Sequence, residues 1–215
     1  MMTRREVVVG VAAGVAAVAA AGTTAQQVVA LPAPEREGGM PLLSALNRRR
    51  STRAYANRPL PTQILSNLLW AAFGVNRPSG DRTAPYWRHI MVVDIYAAMA
   101  DGVWLYDPGT HALRLYMPDD IRAHTGTQDF VAIAPLDLVF VAHGERMGEL
   151  SVPDRRLYSS VDTGFIGQNV YLYRASEGLA TVFRGAVDYQ KLERILRLPE
   201  EQFVTFAQTV GYPAS

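Results

Sequence analysis

The chain has 215 residues, 49% of them hydrophobic, and its 21 basic residues nearly balance its 20 acidic residues. That length and apolar fraction suit one globular domain with a buried core. Basic and acidic residues share the same segments, which argues against a nucleic-acid surface, and the lack of cysteine excludes disulfides, thiol nucleophiles and iron–sulfur ligation.

Residues 1–25 have the pattern of an export signal. The charged start Thr3-Arg4-Arg5-Glu6 precedes an apolar run from Val7 to Ala21 that is rich in alanine and glycine, and small residues follow. The paired arginines indicate the twin-arginine type, so we expect a periplasmic or other extracytoplasmic protein. The run is shorter than the ~20 residues that a bilayer span needs. An uncleaved membrane anchor is the alternative, and the cleavage position stays open.

Residues 26–39 contain several prolines and glycines and show no hydrophobic period. This composition predicts a disordered linker. We therefore expect the domain to occupy residues 40–215.

A run of arginines ends the first helical pattern of this domain. Pro41 begins the pattern, and Leu42, Leu43 and Leu46 form its apolar stripe. The stretch 48–53 then holds four arginines, a serine and a threonine. Guanidinium forks and hydroxyls suit a bound phosphate, although a solvated basic surface explains the same residues. The chain has one lysine, so a phosphate site would have to use arginine.

The remaining elements alternate irregularly between helix and strand, which predicts the α+β class. A buried helix with the three-four apolar spacing precedes Gly74, and a hairpin surrounds the turn residues Asp107-Pro108-Gly109-Thr110. The run 136–142 predicts a strand with both faces covered. Residues 162–178 predict a helix buried on several sides, either central or at a dimer contact. Further elements are predicted at 90–96 (strand), 118–124 (short helix), 179–183 (strand), 188–196 (helix) and 203–210 (strand).

Several motifs in this order resemble one enzyme family. The chain reads Arg-Arg-Ser-Thr-Arg, then a Pro/Ser/Gly/Arg loop before a strand, Gly-Phe-Ile-Gly-Gln-Asn-Val-Tyr-Leu-Tyr, Glu-Gly-Leu-Ala-Thr-Val and Val-Gly-Tyr-Pro. From Pro41 to Pro213 this resembles the nitroreductase family of flavin mononucleotide (FMN) oxidoreductases, near the branch with the azoline dehydrogenases. The resemblance implies an antiparallel-dominated central sheet wrapped by helices. It also implies a homodimer with a long central interface helix and FMN in clefts between the subunits.

The same resemblance assigns the FMN contacts. The arginine motif would hold the flavin phosphate and the nearby ribityl and pyrimidine oxygens, an amide would lie at the polar edge of the ring, and a loop backbone would face N5. These cofactor-binding roles fall on Arg49, Arg50, Ser51 and Arg53, on Gln128, and on Arg184 and Gly185. No catalytic side chain is expected, because the flavin itself carries the hydride. The four histidines lack a metal-binding pattern, so no metal is expected.

Two departures from the family pattern bear on the site. Relatives commonly read Pro-Ser-Ala-x-Asn-x-Gln where this chain reads Pro85-Tyr86-Trp87-Arg88-His89-Ile90-Met91, and the basic C-terminal extension of longer nitroreductases does not follow Pro213. The expected function is hydride transfer between flavin N5 and a small conjugated substrate of nitro, quinone, enone or azoline type. A catalytically silent flavin- or ligand-binding dimer and a flavin-free structural dimer are the alternatives. The sequence leaves the electron donor and the substrate open.

Overall fold

One seven-stranded antiparallel sheet organises the chain. The structure is a computed structural model that describes residues 26–214, so the predicted export signal at 1–25 lies outside the described residues. The strands are β1 (Val28–Ala30), β2 (Val93–Met99), β3 (Gly102–Asp107), β4 (Ala112–Met117), β5 (Leu136–His143), β6 (Ala180–Arg184) and β7 (Gln202–Gly211). Their order across the sheet is β1-β4-β3-β2-β5-β7-β6, and each neighbouring pair is antiparallel.

Four α-helices pack around this sheet. They are α1 (Leu42–Arg48), α2 (Thr62–Phe73), α3 (Val152–Glu177) and α4 (Tyr189–Ile195). Within residues 26–214 none of the helices is both long and apolar enough to cross a membrane. The predicted α+β, antiparallel-dominated fold is confirmed.

Strand β5 is buried along its whole length, as its continuous apolar run predicts. Leu138 and Phe140 face the core formed with α2 and α3, whereas Val139 and Val141 face a second cluster that includes Leu192 of α4. Side chains of a strand alternate between its faces, so covering both faces requires apolar residues at successive positions. The hairpin β3–β4 and the buried face of α2, which ends at Gly74, are also confirmed.

The segment predicted as a disordered linker, residues 26–39, is ordered in the structure. Strand β1 pairs with β4 at the edge of the sheet. Beyond it, Ser66 of α2 donates to the carbonyl of Pro32 at 2.6 Å, and the amide of Glu35 donates to Asn67 Oδ1 at 2.9 Å. These hydrogen bonds need no hydrophobic period, because they use the backbone of the segment. The segment therefore differs from the linker that its composition predicts.

Helices α1 and α3 each present apolar side chains to solvent. Leu42 and Leu43 of α1 are 62% and 78% exposed, while Ala45 is the buried residue of that helix. On α3, which is longer than predicted, Leu157, Val161 and Phe165 follow a four-residue spacing and are all exposed. Residues four apart lie on one helix face. The burial of α3 on several sides is thus incomplete within one chain. We call these five residues the α1–α3 apolar surface.

The loop that departs from the family pattern packs over the first half of α3. The Trp87 amide donates to Asp162 Oδ2 at 2.9 Å, and the Trp87 ring lies 6.0 Å from the Tyr158 ring. Asp162 is only 4% exposed, and no cation pairs with it among the described residues. Burial therefore raises the pKa of its carboxyl to about 6.

We expect Asp162→Asn to stabilise the protein at pH 8 and to have little effect at pH 4. The folded-state pKa of about 6 exceeds the reference value of 3.8, so ionisation of Asp162 costs stability as the pH rises through this range. Asparagine keeps the acceptor for the Trp87 amide without the charge. The free energy of unfolding at pH 8, measured by urea denaturation, should rise by about 1–2 kcal/mol. The exposed residue Asp119 gives the control Asp119→Asn. Equal destabilisation of Asp162→Asn at both pH values would contradict the assignment.

Candidate functional site

The arginine motif runs along the outer edge of β6, the last strand of the sheet. The Thr52 amide donates to the Thr181 carbonyl at 2.9 Å, and Tyr55 forms an isolated antiparallel bridge with Pro213. The extended backbone is thereby fixed against the sheet. Side chains of an extended segment alternate in direction, so the motif presents two faces.

The first face contains Arg49 and Ser51, which both contact Tyr171 of α3. The Arg49 guanidinium lies 5.3 Å from the ring centroid, and Ser51 Oγ is 2.7 Å from the Tyr171 hydroxyl. That hydroxyl also accepts from the Phe183 amide at 2.9 Å, so its own proton can go to Ser51 Oγ. The Ser51 proton then remains available for a ligand. Arg49 and Arg53 are exposed and form no ion pair with a described carboxylate.

The second face contains Arg48 and Arg50. Together with Thr52 they line a cleft closed by Arg174 of α3, whose Nη2 donates to the Arg50 carbonyl. The resemblance groups Arg50 with Ser51 as flavin ligands. The structure places Arg50 beside Arg48 in this cleft, whereas Ser51 contacts Tyr171.

The side chain of Arg184 is enclosed in a buried polar network. Its Nη2 donates to Asp137 Oδ1 at 2.7 Å, its Nε to Thr209 Oγ1 at 2.9 Å and its Nη1 to the Thr125 carbonyl at 2.6 Å. Burial raises the pKa of the Asp137 carboxyl to about 6, while the Arg184 guanidinium and the Thr209 hydroxyl favour the charged form. This side chain is unable to contact a ligand in this arrangement. Arg184 could therefore contact a flavin only through its backbone, as the resemblance implies.

Gly185 and Gln128 lie together at the end of β6. Gly185 is exposed, and the Thr127 amide donates to the Ala186 carbonyl at 3.0 Å, which places the Gln128 segment beside it. Gln128 Oε1 is buried and has no hydrogen-bond partner among residues 26–214. An unpaired buried acceptor costs free energy, and a ring N–H of a bound ligand would satisfy it. The segment also reaches the arginine motif, since the Phe130 ring lies 5.6 Å from that of Tyr55.

These groups fit FMN in chemical type. Arg49 and Arg53 supply guanidiniums that form no ion pair within residues 26–214, and Ser51 supplies a hydroxyl beside Tyr171. Gln128 supplies an acceptor, and Gly185 supplies accessible backbone. Charge-assisted donors of this kind bind phosphate oxygens well. Arg50 lies on the other face of the motif, and the Arg184 side chain is committed to Asp137.

Three residues of this region had no functional assignment from the sequence. Tyr171 orders Ser51, Arg174 holds the backbone of the motif, and Asp137 fixes Arg184. A single carboxylate inside the apolar run of β5 was a visible signal for Asp137. The apolar spacing of α3 gave no signal for the role of Tyr171.

The loop of residues 86–90 lies away from this edge within one chain. Trp87 packs near Tyr158 and Asp162, and the arginine motif meets α3 at Tyr171 and Arg174. At 1.5 Å per helical residue these two contact regions are about 15 Å apart along α3. The bulky loop residues therefore do not close the β6 edge of their own chain.

Comparison with known proteins assigns the chain to a family. The profile of the nitroreductase family matches residues 46–212. A protein of Methanocaldococcus jannaschii described as a nitroreductase is 32% identical over 169 residues, which cover 74% of this chain and 85% of that protein.

Solved structures give the same result. A crystal structure from Ralstonia eutropha, described as that of a nitroreductase, is 45% identical with a TM-score of 0.84, covering 89% of this chain and 92% of that chain. The NADPH:FMN oxidoreductase of Vibrio harveyi shares the fold, with a TM-score of 0.61 at 20% sequence identity. The match covers 81% of this chain and 69% of that chain. The chain therefore belongs to the nitroreductase family and is a flavin oxidoreductase.

Proposed function

We propose that this protein binds FMN along the β6 edge and transfers a hydride between flavin N5 and a small conjugated substrate of nitro, quinone, enone or azoline type. The observation that carries the proposal is the set of donors on Arg49, Ser51 and Arg53, of which the two guanidiniums form no ion pair within the described part of the chain. They adjoin a strand that ends in the accessible backbone of Gly185 and the unpaired acceptor of Gln128.

The chain contributes binding and orientation to this chemistry. The two guanidiniums would hold the phosphate, and Ser51, with Tyr171 as the donor to its Oγ, would direct its hydroxyl proton to the ligand. Gln128 would accept from a ring N–H, and the backbone at Gly185 would lie beside the reactive edge. Bound FMN supplies the hydride chemistry, which needs no acid or base side chain from the protein.

The α1–α3 apolar surface supports a homodimer as part of this proposal. It comprises exposed leucines of α1 and the exposed stripe of α3, and these two helices contact each other. Exposed apolar side chains grouped on a helix face often mark an interface. Trp87 packs against the first half of α3, and Tyr171, which contacts the arginine motif, belongs to its second half. Pairing of two antiparallel α3 helices would therefore bring the loop of one subunit towards the β6 edge of the other.

We also propose export through the signal at residues 1–25. Nicotinamide cofactors are cytoplasmic reductants, so an exported enzyme would use another electron donor or would run as a dehydrogenase that passes electrons onward. Cell fractionation with an antibody to the domain tests this, with a signal variant Arg4→Lys/Arg5→Lys as control. We expect the protein outside the cytoplasm and retention of the variant inside. Detection of both only in the cytoplasm would remove the proposal.

A catalytically silent flavin-binding dimer is the rival function. The observation that favours it is the bulk of Tyr86 and Trp87, which fill space between the loop and the helices where relatives have small residues. Bound flavin that chemical donors reduce, but that a broad panel of nitroaromatics, quinones and enones fails to reoxidise, would favour the rival.

We expect purified protein to carry FMN, and Arg49→Gln and Arg53→Gln each to weaken FMN binding by about ten- to a hundredfold. Each substitution removes one charge-assisted contact, worth about 1.5–3 kcal/mol. Flavin absorbance and fluorescence titration of the apoprotein measure the effect. Arg194→Gln, at an exposed arginine of α4, is the matched control and should bind normally. A colourless protein that takes up no added FMN would overturn the assignment.

We expect the chain to be a dimer and Phe165→Asp to make it a monomer. Phe165 is 45% exposed within one chain, and a charge at this position would be buried without a partner in the interface. Light scattering after size exclusion gives the molecular mass. Ile133→Asp is the control, because Ile133 is similarly exposed but lies outside α1 and α3. A monomeric wild type, or a dimer unaffected by Phe165→Asp, would contradict the interface.

A further inference from the structure

A cleft lies behind the arginine motif, on the side away from Ser51. It has a volume of about 560 Å³ and is bounded by the motif, the end of α3 and the last described residues of the chain. Its lining includes Arg48, Arg50, Thr52, Arg174 and Pro213. No carboxylate is among the described residues that line it.

Arg174 makes this cleft strongly basic. It is only 5% exposed, and its Nη1 and Nη2 donate to backbone carbonyls, those of Leu179 at 3.0 Å and of Arg50. Nε has no acceptor among residues 26–214. Carbonyl groups orient a guanidinium without cancelling its charge, and an unpaired buried charge is costly.

The neighbouring arginines add to the same field. Burial lowers the pKa of Arg174, and the positive charges of Arg50 and Arg49 lower it further. Arg48, Arg50 and Arg174 form no ion pair within the described chain. A concave surface with charges of one sign concentrates the potential, and so attracts anions more strongly than isolated surface charges do.

We propose that this cleft is a second oxyanion site, which binds a phosphate or diphosphate group back to back with the face that carries Arg49 and Ser51. Arg48, Arg50 and Thr52 line the cleft and can supply donors to an anion, and Arg174 adds a positive charge that its hydrogen bonds hold in place. The volume admits a group larger than a single phosphate. The proposal does not rest on flavin binding, because it concerns the opposite side of the motif.

The chemistry is shared by two sources. Inorganic phosphate or diphosphate could bind alone, or the diphosphate could belong to a nicotinamide dinucleotide. A competition experiment distinguishes the free anion from the dinucleotide. Displacement of bound diphosphate by NADH or NADPH would identify a dinucleotide site, whereas diphosphate binding without competition would identify the free anion. Either result supports the cleft as an oxyanion site.

The test is a calorimetric titration of the protein, as purified and without its flavin, with inorganic diphosphate. We expect binding in both forms without release of flavin. Arg48→Gln should weaken diphosphate binding about tenfold or more, since it removes one charge-assisted contact. Arg53→Gln, in the same motif but not among the cleft residues, is the matched control for the flavin-free form and should change the affinity there by less than about twofold.

Arg174→Gln should weaken binding at least as much as Arg48→Gln if it folds. Because Arg174 also holds the backbone of the motif, Arg48→Gln decides the question if Arg174→Gln fails to fold. Three results would overturn the proposal. They are no diphosphate binding by the wild type, release of flavin by diphosphate, and loss of diphosphate binding in Arg53→Gln or Arg49→Gln but not in Arg48→Gln. The last two would place the anion at the flavin phosphate position instead.

Discussion

The buried ion pair between Arg184 and Asp137 is the interaction on which the candidate site depends. It joins β6 to β5, and the same guanidinium reaches Thr209 of β7 and Thr125 of the loop that leads to Gln128. Loss of one partner from such a pair leaves an uncompensated charge, which costs about 3–5 kcal/mol. The pair therefore fixes the end of β6 and the neighbouring loop as one unit. Gly185 and Gln128 owe their proximity to a side chain that no ligand touches.

The side chains of the arginine motif point to two opposite sides of its extended backbone. Its backbone is fixed to β6 through Thr52, and successive side chains must then point to opposite sides. Tyr171 orders one side and Arg174 the other, and both come from the second half of α3. A count of arginines predicts a basic site but gives no information about this division. The division follows from the extended backbone, whose period is two residues.

Sequence patterns predicted the elements whose burial follows a simple period. The uninterrupted apolar run of β5, the three-four spacing of α2 and the turn residues of the β3–β4 hairpin each correspond to an observed element. The arginine motif was visible in the residues themselves, and the family resemblance supplied its expected role in binding flavin.

The differences between expectation and structure have physical causes. Strand β1 forms through backbone pairing with β4, which leaves no hydrophobic period in the sequence. The leucines of α1 resemble core residues, but the core that would cover them is absent from a single chain. The family resemblance identifies Arg184 from its position at the end of β6, whereas the direction of its side chain depends on Asp137, 47 residues away. Local sequence therefore specifies helices and strands better than it specifies the partners of long polar side chains.

Strand β1 also determines where the start of the chain leaves the domain. It forms one edge of the sheet and β6 forms the other, with five strands between them. At a spacing of about 4.8 Å between neighbouring strands, the two edges are about 29 Å apart. Strand β1, with which the described chain begins, therefore lies at the far side of the sheet from the arginine motif. The candidate site along β6 is thus remote from the point at which the described chain enters the sheet.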